Sequence, residues 1–472
     1  MNIPRSLWVQ VKSHPLGAII VAIAPIFFAS STIRHALFQS SAWDLAIFDQ
    51  AVYLISQGQS PISSLMGFHI LGDHAAFLLY PLALLYKIYP DVHWLLALQA
   101  LALAFGALPT WYLSLEAGLK KAQALAMAAV YLLYPLVFNI NLFDFHPEVL
   151  ALPGILAAVL AARVGAIGWF CVWIVLVLSC KAVLALTVAA MGLWLLVFEK
   201  RRLCGAIALF SGIAWFIIAT GFIIPFFGGE LATIGRHLSR YQHLGNSFSE
   251  IVKNLLFQPG LLIKSLFSLA NLEYLVLLLS PLIWGLYPQH LTPLIGAIPA
   301  LAMNLLADDL TQKNLVHQYS LPVLPFLLLA VIASLAAGRG WLRSRVIIIW
   351  SLVAFLALAK YGYFGSIYLN SLDTWKATRV AIAQIQTSGG VLTTHNIAPH
   401  LAHRSLIKFT NADAPPTDLN QFEYILLNLR HPGWKSSREL AENLLNKLQK
   451  NRNFKLKSQQ DDVYLFIQNN RS

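Results

Sequence analysis

Charge is what this sequence has least of. Only 11% of its 472 residues are Asp, Glu, Lys or Arg, where a soluble domain carries about a quarter. Hydrophobic residues make up 58%, and mean hydropathy is +0.64. Cysteine is scarce as well. Cys171, Cys180 and Cys204 lie in or beside apolar segments with no metal-ligand spacing, which suggests neither a disulfide framework nor a redox role. The C-terminal region holds no glycine-rich phosphate loop, so nucleotide binding there has no support. No serine–histidine–acid constellation is visible, and no internal repeat recurs.

What the chain has is a series of apolar runs of roughly membrane-spanning length, the mark of a multi-pass helical membrane protein. Spans are expected at about 16–38, 93–114, 122–140, 149–163, 166–180, 182–198, 203–226, 259–280, 282–304, 317–337 and 345–365, about eleven crossings. The stretch His74 to Tyr89, broken by Pro81, reads as a short re-entrant or interfacial segment. Net charge is +12, but the basic residues gather at Lys120-Lys121, Lys200-Arg201-Arg202 and Arg339 to Arg345. Positive-inside bias accounts for these clusters without a nucleic-acid partner. The N-terminus, with Arg5 and Lys12 before an apolar run, resembles a secretory signal; the many spans that follow favour an uncleaved first helix with a cytoplasmic N-terminus.

The reading is an all-α polytopic domain over 1–368, with outer-face loops at 39–75, 228–258 and 305–316. A small soluble α/β domain follows over 369–472, on the extracytoplasmic side. Its expected strands are Val391–Thr394, Leu406–Phe409 and Tyr424–Asn428, with an amphipathic helix over 437–450. A closing hairpin, 454–458 with 463–467, turns at Asp461-Asp462.

Ionisable groups are costly at membrane depth, so each is a functional candidate. The first outer loop holds Ser41-Ala-Trp-Asp-Leu-Ala-Ile-Phe-Asp-Gln50, an amphipathic helix in pattern. Asp44 and Asp49 are separated by about 140° around that helix, so at most one faces any given cavity. Ser41-x-x-Asp44 also fits a capping box, and Asp49 fits a solvated face. His74, beside Asp73, is either an interface histidine or part of the site. Asp144-Phe-His-Pro-Glu148 is the densest signal, three ionisable groups wedged between two apolar spans. Asp144, His146 and Glu148 could hold a divalent cation, Mg or Mn. Lys181 either snorkels to the interface or contacts a phosphate. Arg236, Arg240, Tyr241 and His243 offer cations and donors for a lipid phosphate, and His317 shares the same expected face.

These runs carry a resemblance. Trp43 to Gln50, Gly58, His74, Tyr134-Pro135, Phe143-Asp-Phe-His-Pro-Glu148, Pro399-His-Leu-Ala-His-Arg404 and Tyr424 look like a bacterial and archaeal family of predicted membrane proteins of unknown function. That family is similar, more distantly, to the GT-C glycosyltransferases, which include protein mannosyltransferases and aminoarabinose transferases. The resemblance implies a bacterial plasma-membrane protein that takes a sugar from a polyprenyl-phosphate-linked donor and passes it to an acceptor outside the cytoplasm. It implies Asp44 and Asp144 as the catalytic acids and His74 as the histidine that follows the first of them. One departure stands out. In the family the lysine is followed by Glu-Asp, whereas this chain has Lys181-Ala182-Val183. Two other readings stay open: a transporter or flippase, which would carry inverted repeats, and a non-catalytic scaffold whose outer domain binds a partner.

Overall fold

The computed structural model describes residues 15–229, 238–340 and 343–469. Among them, five helices are long and apolar enough to cross a membrane: Pro15–Ala36, His93–Glu116, Lys121–Leu142, Arg202–Gly228 and Ser344–Leu369. The pair Pro259–Leu266 and Leu269–Leu279, bent by 53°, makes a sixth if it is one broken span. At 1.5 Å per residue the 22 residues of the first helix reach about 33 Å, enough for a hydrocarbon core of about 30 Å. These helices turn Val21, Ile26, Phe210, Phe222, Ile349 and Val353 outward.

The other expected spans take different forms. Ile167–Cys180, Leu184–Val197 and Leu324–Ala336 are shorter apolar helices, and Glu148–Arg163 is buried along most of its length. The span expected over 282–304 is not one helix. It is three 3-10 segments, Ile283–Gly285, Pro288–His290 and Thr292–Ala297, ahead of the helix Ile298–Leu306. Pro288, Pro293 and Pro299 each remove a backbone donor there, which hydropathy alone does not register. Over 74–89 the chain makes a turn, Leu71–His74, then the helix Leu79–Ile88.

Leu184–Val197 and Arg202–Ile218 pack with their backbones almost touching. A Cβ on Gly192 would lie 2.3 Å from the backbone nitrogen of Leu209, and one on Gly205 would lie 2.6 Å from that of Leu196. Small residues at helix crossings permit this approach.

The C-terminal domain is a five-stranded mixed sheet. With β1 (Ile62–Ser63) and β2 (Phe68–His69) forming a small hairpin in the first loop, its strands are β3 (Val391–Thr393), β4 (Ile407–Phe409), β5 (Tyr424–Asn428), β6 (Phe454–Gln460) and β7 (Val463–Gln468). The order is β4-β3-β5-β7-β6. β3 is parallel to β4 and β5, while β7 is antiparallel to β5 and β6. Asp461 and Asp462 both have positive φ, 50° and 62°, as a two-residue type I′ hairpin requires.

Alternation along the strands gives the sheet two apolar faces. Leu392, Ile425 and Leu427 pack on the helix Arg438–Lys450 through Ala441, Leu444 and Leu448. Val391, Tyr424 and Leu426 share the opposite core with Ala377 and Ala381 of the helix Leu372–Ala383, and with Phe38 and Ala42 of the first loop. The Ser64 hydroxyl covers the outer edge of β4, donating to the Ile407 carbonyl at 2.7 Å and accepting from its N–H at 2.9 Å. The sheet domain is thus docked on the loop that follows the first helix.

Candidate active site

Asp44 precedes the first-loop helix Leu45–Ser56 but makes no side-chain cap to it. The carboxylate is left for another partner, the Nε2 of His146 at 3.2 Å. On its other side the His146 ring is fixed through Nδ1, 2.9 Å from the Asp144 carbonyl oxygen. Phe143 stacks on the imidazole at 5.3 Å, and Phe48 meets it edge-on at 5.6 Å. Both ring nitrogens face oxygen acceptors, the arrangement that favours imidazolium. Burial pulls the His146 pKa down, but Asp44 outweighs it and holds the group above its ordinary value. Burial likewise pushes Asp44 up, and His146 with the Ser41 hydroxyl overcomes this to hold the carboxyl below its ordinary value.

Asp144 sits one step behind. Its side chain is fully buried; one oxygen takes Arg34 Nη1 at 2.5 Å and the other takes the backbone N–H of Ser41 at 2.7 Å. The residue therefore ties the end of the first helix to the turn that leads into Asp44. The local chain break that presents it is held by Gln99, whose amide lies 3.2 Å from each of the carbonyls of Ile140, Asn141 and Phe143. Those groups would otherwise be orphans at a helix end.

Glu148 opens the next helix and pairs with Lys181 Nζ at 2.5 Å. Its second oxygen, Oε2, is buried with no hydrogen-bond partner among the described residues. Lys181 lies in an extended break between two helices. His74 is tied to this break, because the Ala182 N–H donates to its carbonyl at 2.8 Å, and its ring lies 3.3 Å from Asp73. Ala182, the residue after Lys181, is buried against Ala75 and Ala219. This space suits a methyl group.

His317 closes the cluster, edge-on to Phe143 at 4.8 Å and 3.0 Å from the Asn314 amide oxygen. Arg240 lies over the Tyr319 ring at 5.2 Å and 3.4 Å from Asp309; His243 lies 3.4 Å from Asp308. Tyr241 donates to the Met303 carbonyl at 3.2 Å. The cations of this loop therefore have acidic neighbours, and Asp308 N–H to Arg240 carbonyl at 2.9 Å links the two loops. Arg236 lies outside the described residues.

Asp49 points away from this cluster. Its carboxylate, 1% exposed, accepts from Tyr86 Oη at 2.7 Å and meets His403 Nε2 at 2.9 Å. Nor do Asp144, His146 and Glu148 converge, since each has a different partner. Among the described residues no three His, Cys, Asp or Glu side chains are gathered as metal ligands. Sequence reasoning passed over Arg34, although an arginine at the end of an apolar span is itself a signal. It also passed over the tail histidines His395 and His403. A small pocket of about 10 Å³ bounded by Phe38, Ser371, Thr374, Asn428 and His431 contains none of the Asp44 cluster.

A family profile described as a predicted membrane protein, DUF2079, matches residues 34–465. No curated protein matches the chain. Its fold is similar to the crystal structure of ArnT from Cupriavidus metallidurans bound to undecaprenyl phosphate, with a TM-score of 0.51 at 13% identity over 96% of this chain and 98% of that one. Also similar is the oligosaccharyltransferase of Archaeoglobus fulgidus, in complex with zinc and sulfate. Its TM-score is 0.45 at 12% identity, over 88% of this chain and 70% of that one.

Proposed function

We propose that this chain, which belongs to the DUF2079 family of predicted membrane proteins, is a membrane glycosyltransferase that takes its sugar from a polyprenyl-phosphate-linked donor. The GT-C-like fold and the lipid phosphate bound by its structural neighbour support the class. The observation that carries the reading is Asp44, left uncapped at the head of the first-loop helix and oriented by His146. A base must be ionised to act, and the imidazolium beside it keeps Asp44 so at neutral pH.

In this reading Asp44 takes the proton of an acceptor hydroxyl as its oxygen forms a bond to the sugar's anomeric carbon. The bond from that carbon to the phosphate oxygen breaks, and the polyprenyl phosphate leaves with the electron pair. Lys181, paired with Glu148 at 2.5 Å when no donor is bound, supplies positive charge for the phosphate by turning from that carboxylate to it. Asp144 acts as a positioning residue through Arg34 and the Ser41 N–H. His74, His317, Arg240, Tyr241 and His243 line the approach. Asp44→Asn, which keeps the shape and removes the base, is expected to abolish transfer from undecaprenyl-phosphate-linked sugars in membranes without lowering expression. Transfer at the wild-type rate would remove Asp44 from the mechanism.

The burial of Ala182 against Ala75 and Ala219, which leaves no acid beside Lys181, favours a second reading, a non-catalytic membrane scaffold whose C-terminal domain binds a partner. It predicts that purified protein still binds undecaprenyl phosphate while no lipid-linked sugar is consumed.

A further inference from the structure

One ten-residue segment of the C-terminal domain, His395 to Arg404, touches the chain on both sides of Asp44. His400 stacks on His35 at 4.0 Å and packs on Phe38 at 4.4 Å. His395 Nε2 lies 3.3 Å from the backbone nitrogen of Ala42, which donates to it, and 3.3 Å from the Ser41 hydroxyl. His403 meets Asp49 at 2.9 Å and stacks on Tyr53 at 4.8 Å, nearly parallel to it. Gln50 donates to the Arg404 carbonyl at 3.0 Å. Apolar side chains alone could have packed this interface. Burying three imidazoles instead is costly: His403 Nε2 and His395 Nε2 bond across the interface, while His400 Nε2 lies buried with no hydrogen-bond partner among the described residues.

The use is most specific at His395. Because Nε2 accepts from Ala42, the ring proton belongs on Nδ1, which is buried with no hydrogen-bond partner among the described residues; the imidazole is kept here for what Nε2 does, at the cost of an unpaired donor. The ring is held edge-on by Phe409 at 4.9 Å and Trp434 at 5.8 Å. Its own backbone N–H is anchored to the Pro432 carbonyl at 2.9 Å. Two consecutive backbone donors, Ser41 and Ala42, are thereby pinned from opposite domains, the first by Asp144 and the second by His395. Asp44 follows two residues later.

We propose that His395 is a positioning residue for Asp44, and that the His395–Arg404 segment makes the C-terminal domain a clamp on the loop that carries the base. The inference rests on the reading of Asp44 as that base, but its test does not. Hydrogen–deuterium exchange is measured on the full-length protein in nanodiscs, over the amides of 41–45. In His395→Phe, which keeps an aromatic ring and removes the acceptor, these amides exchange about tenfold faster, the equivalent of one hydrogen bond near 1.4 kcal/mol. Strands β3 and β5 keep their wild-type protection. His395→Gln, whose amide oxygen can accept from Ala42, restores most of the difference. A second variant, His403→Leu, loosens the far anchor and speeds the same amides although His395 is intact. Wild-type exchange over 41–45 in either His395→Phe or His403→Leu overturns the clamp. Loss of the Asp44→Asn phenotype with the exchange results intact overturns the base instead, so the two failures are separable.

Discussion

Replacing Asp144 tests the architecture most directly, because its carboxylate joins two otherwise separate parts of the chain. The perturbation is a cycle of Arg34→Met, Asp144→Asn and the double variant. Arg34 and Asp144 meet at 2.5 Å in a buried setting, where removing one partner of an ion pair costs about 3–5 kcal/mol through the stranded charge. Asp144→Asn keeps an acceptor for the Ser41 N–H, so its cost falls almost wholly on Arg34. Arg34→Met strands the carboxylate, which retains only the Ser41 N–H, and a comparable loss of about 3 kcal/mol is expected. Independent residues would sum to about 6 kcal/mol in the double variant. A true pair gives about 3 kcal/mol or less, a coupling near 3 kcal/mol. At about 2 °C per kcal/mol, each single variant melts about 6 °C below the wild type in detergent, and the double variant melts no lower than either. The exposed pair Arg438–Glu442 serves as a control whose removal leaves the midpoint unchanged. Additive losses in the double variant, or a midpoint in Asp144→Asn equal to the wild type, would refute the reasoning.

Two further outcomes follow from other parts of the fold. Gly192→Leu sets a side chain where even a Cβ meets the Leu209 backbone at 2.3 Å, and backbone cannot swing aside; a loss of about 1–3 kcal/mol is expected, read as a lower melting midpoint, with wild-type stability counting against the close helix contact. Acidification is expected to release the docked C-terminal sheet domain. Burial lowers the His395 pKa to about 4 and that of His400 to about 3, below the ordinary value near 6.5. The undocked state therefore binds more protons between these values, and docking weakens as pH falls below about 6.5, by about 1 kcal/mol per pH unit for each histidine. His403 works in the opposite sense, since Asp49 overcomes burial to raise its pKa; its contribution is present at low pH and fades as pH rises through the raised value. Limited proteolysis between residues 366 and 372 across pH 4 to 8 reads the balance, and cleavage that does not rise toward pH 4 refutes it.

How much of this was legible in the sequence depends on whether the signal is periodic or relational. The membrane class, the C-terminal sheet and its hairpin at Asp461-Asp462 follow from composition, alternation and turn chemistry. Asp44 and Asp49 do part, one turning to His146 and the other to Tyr86 and His403, but not by the roughly 140° of a shared helix, because Asp44 stands before the first helical residue, Leu45, with a non-helical backbone. The breaks in the helices over 283–297 were harder to see. Hydropathy sums apolarity along a window and is indifferent to whether Pro288 and Pro293 let the backbone continue as a helix. Least legible were the partners. Asp49 and His403 are 354 positions apart, as are Ser41 and His395, and no period or local motif connects residues at that separation.

The partners also explain why crowding in sequence misdirects. Asp144, His146 and Glu148 fall within five residues, which invites the idea of one ligand gripped by all three. But Phe143 is extended and Pro147 starts a new helix, so the chain turns between them and successive side chains leave in different directions. Each then meets a separate opposite: Arg34, Asp44 and Lys181. Two of these are cation–carboxylate pairs whose charges cancel within the protein. The third is a carboxylate that no helix cap claims, held ionised by a ring that is itself fixed at both nitrogens. A structure that spends Asp144 and Glu148 on neutralising Arg34 and Lys181 leaves Asp44 as the acid whose geometry is set and whose chemistry is still available.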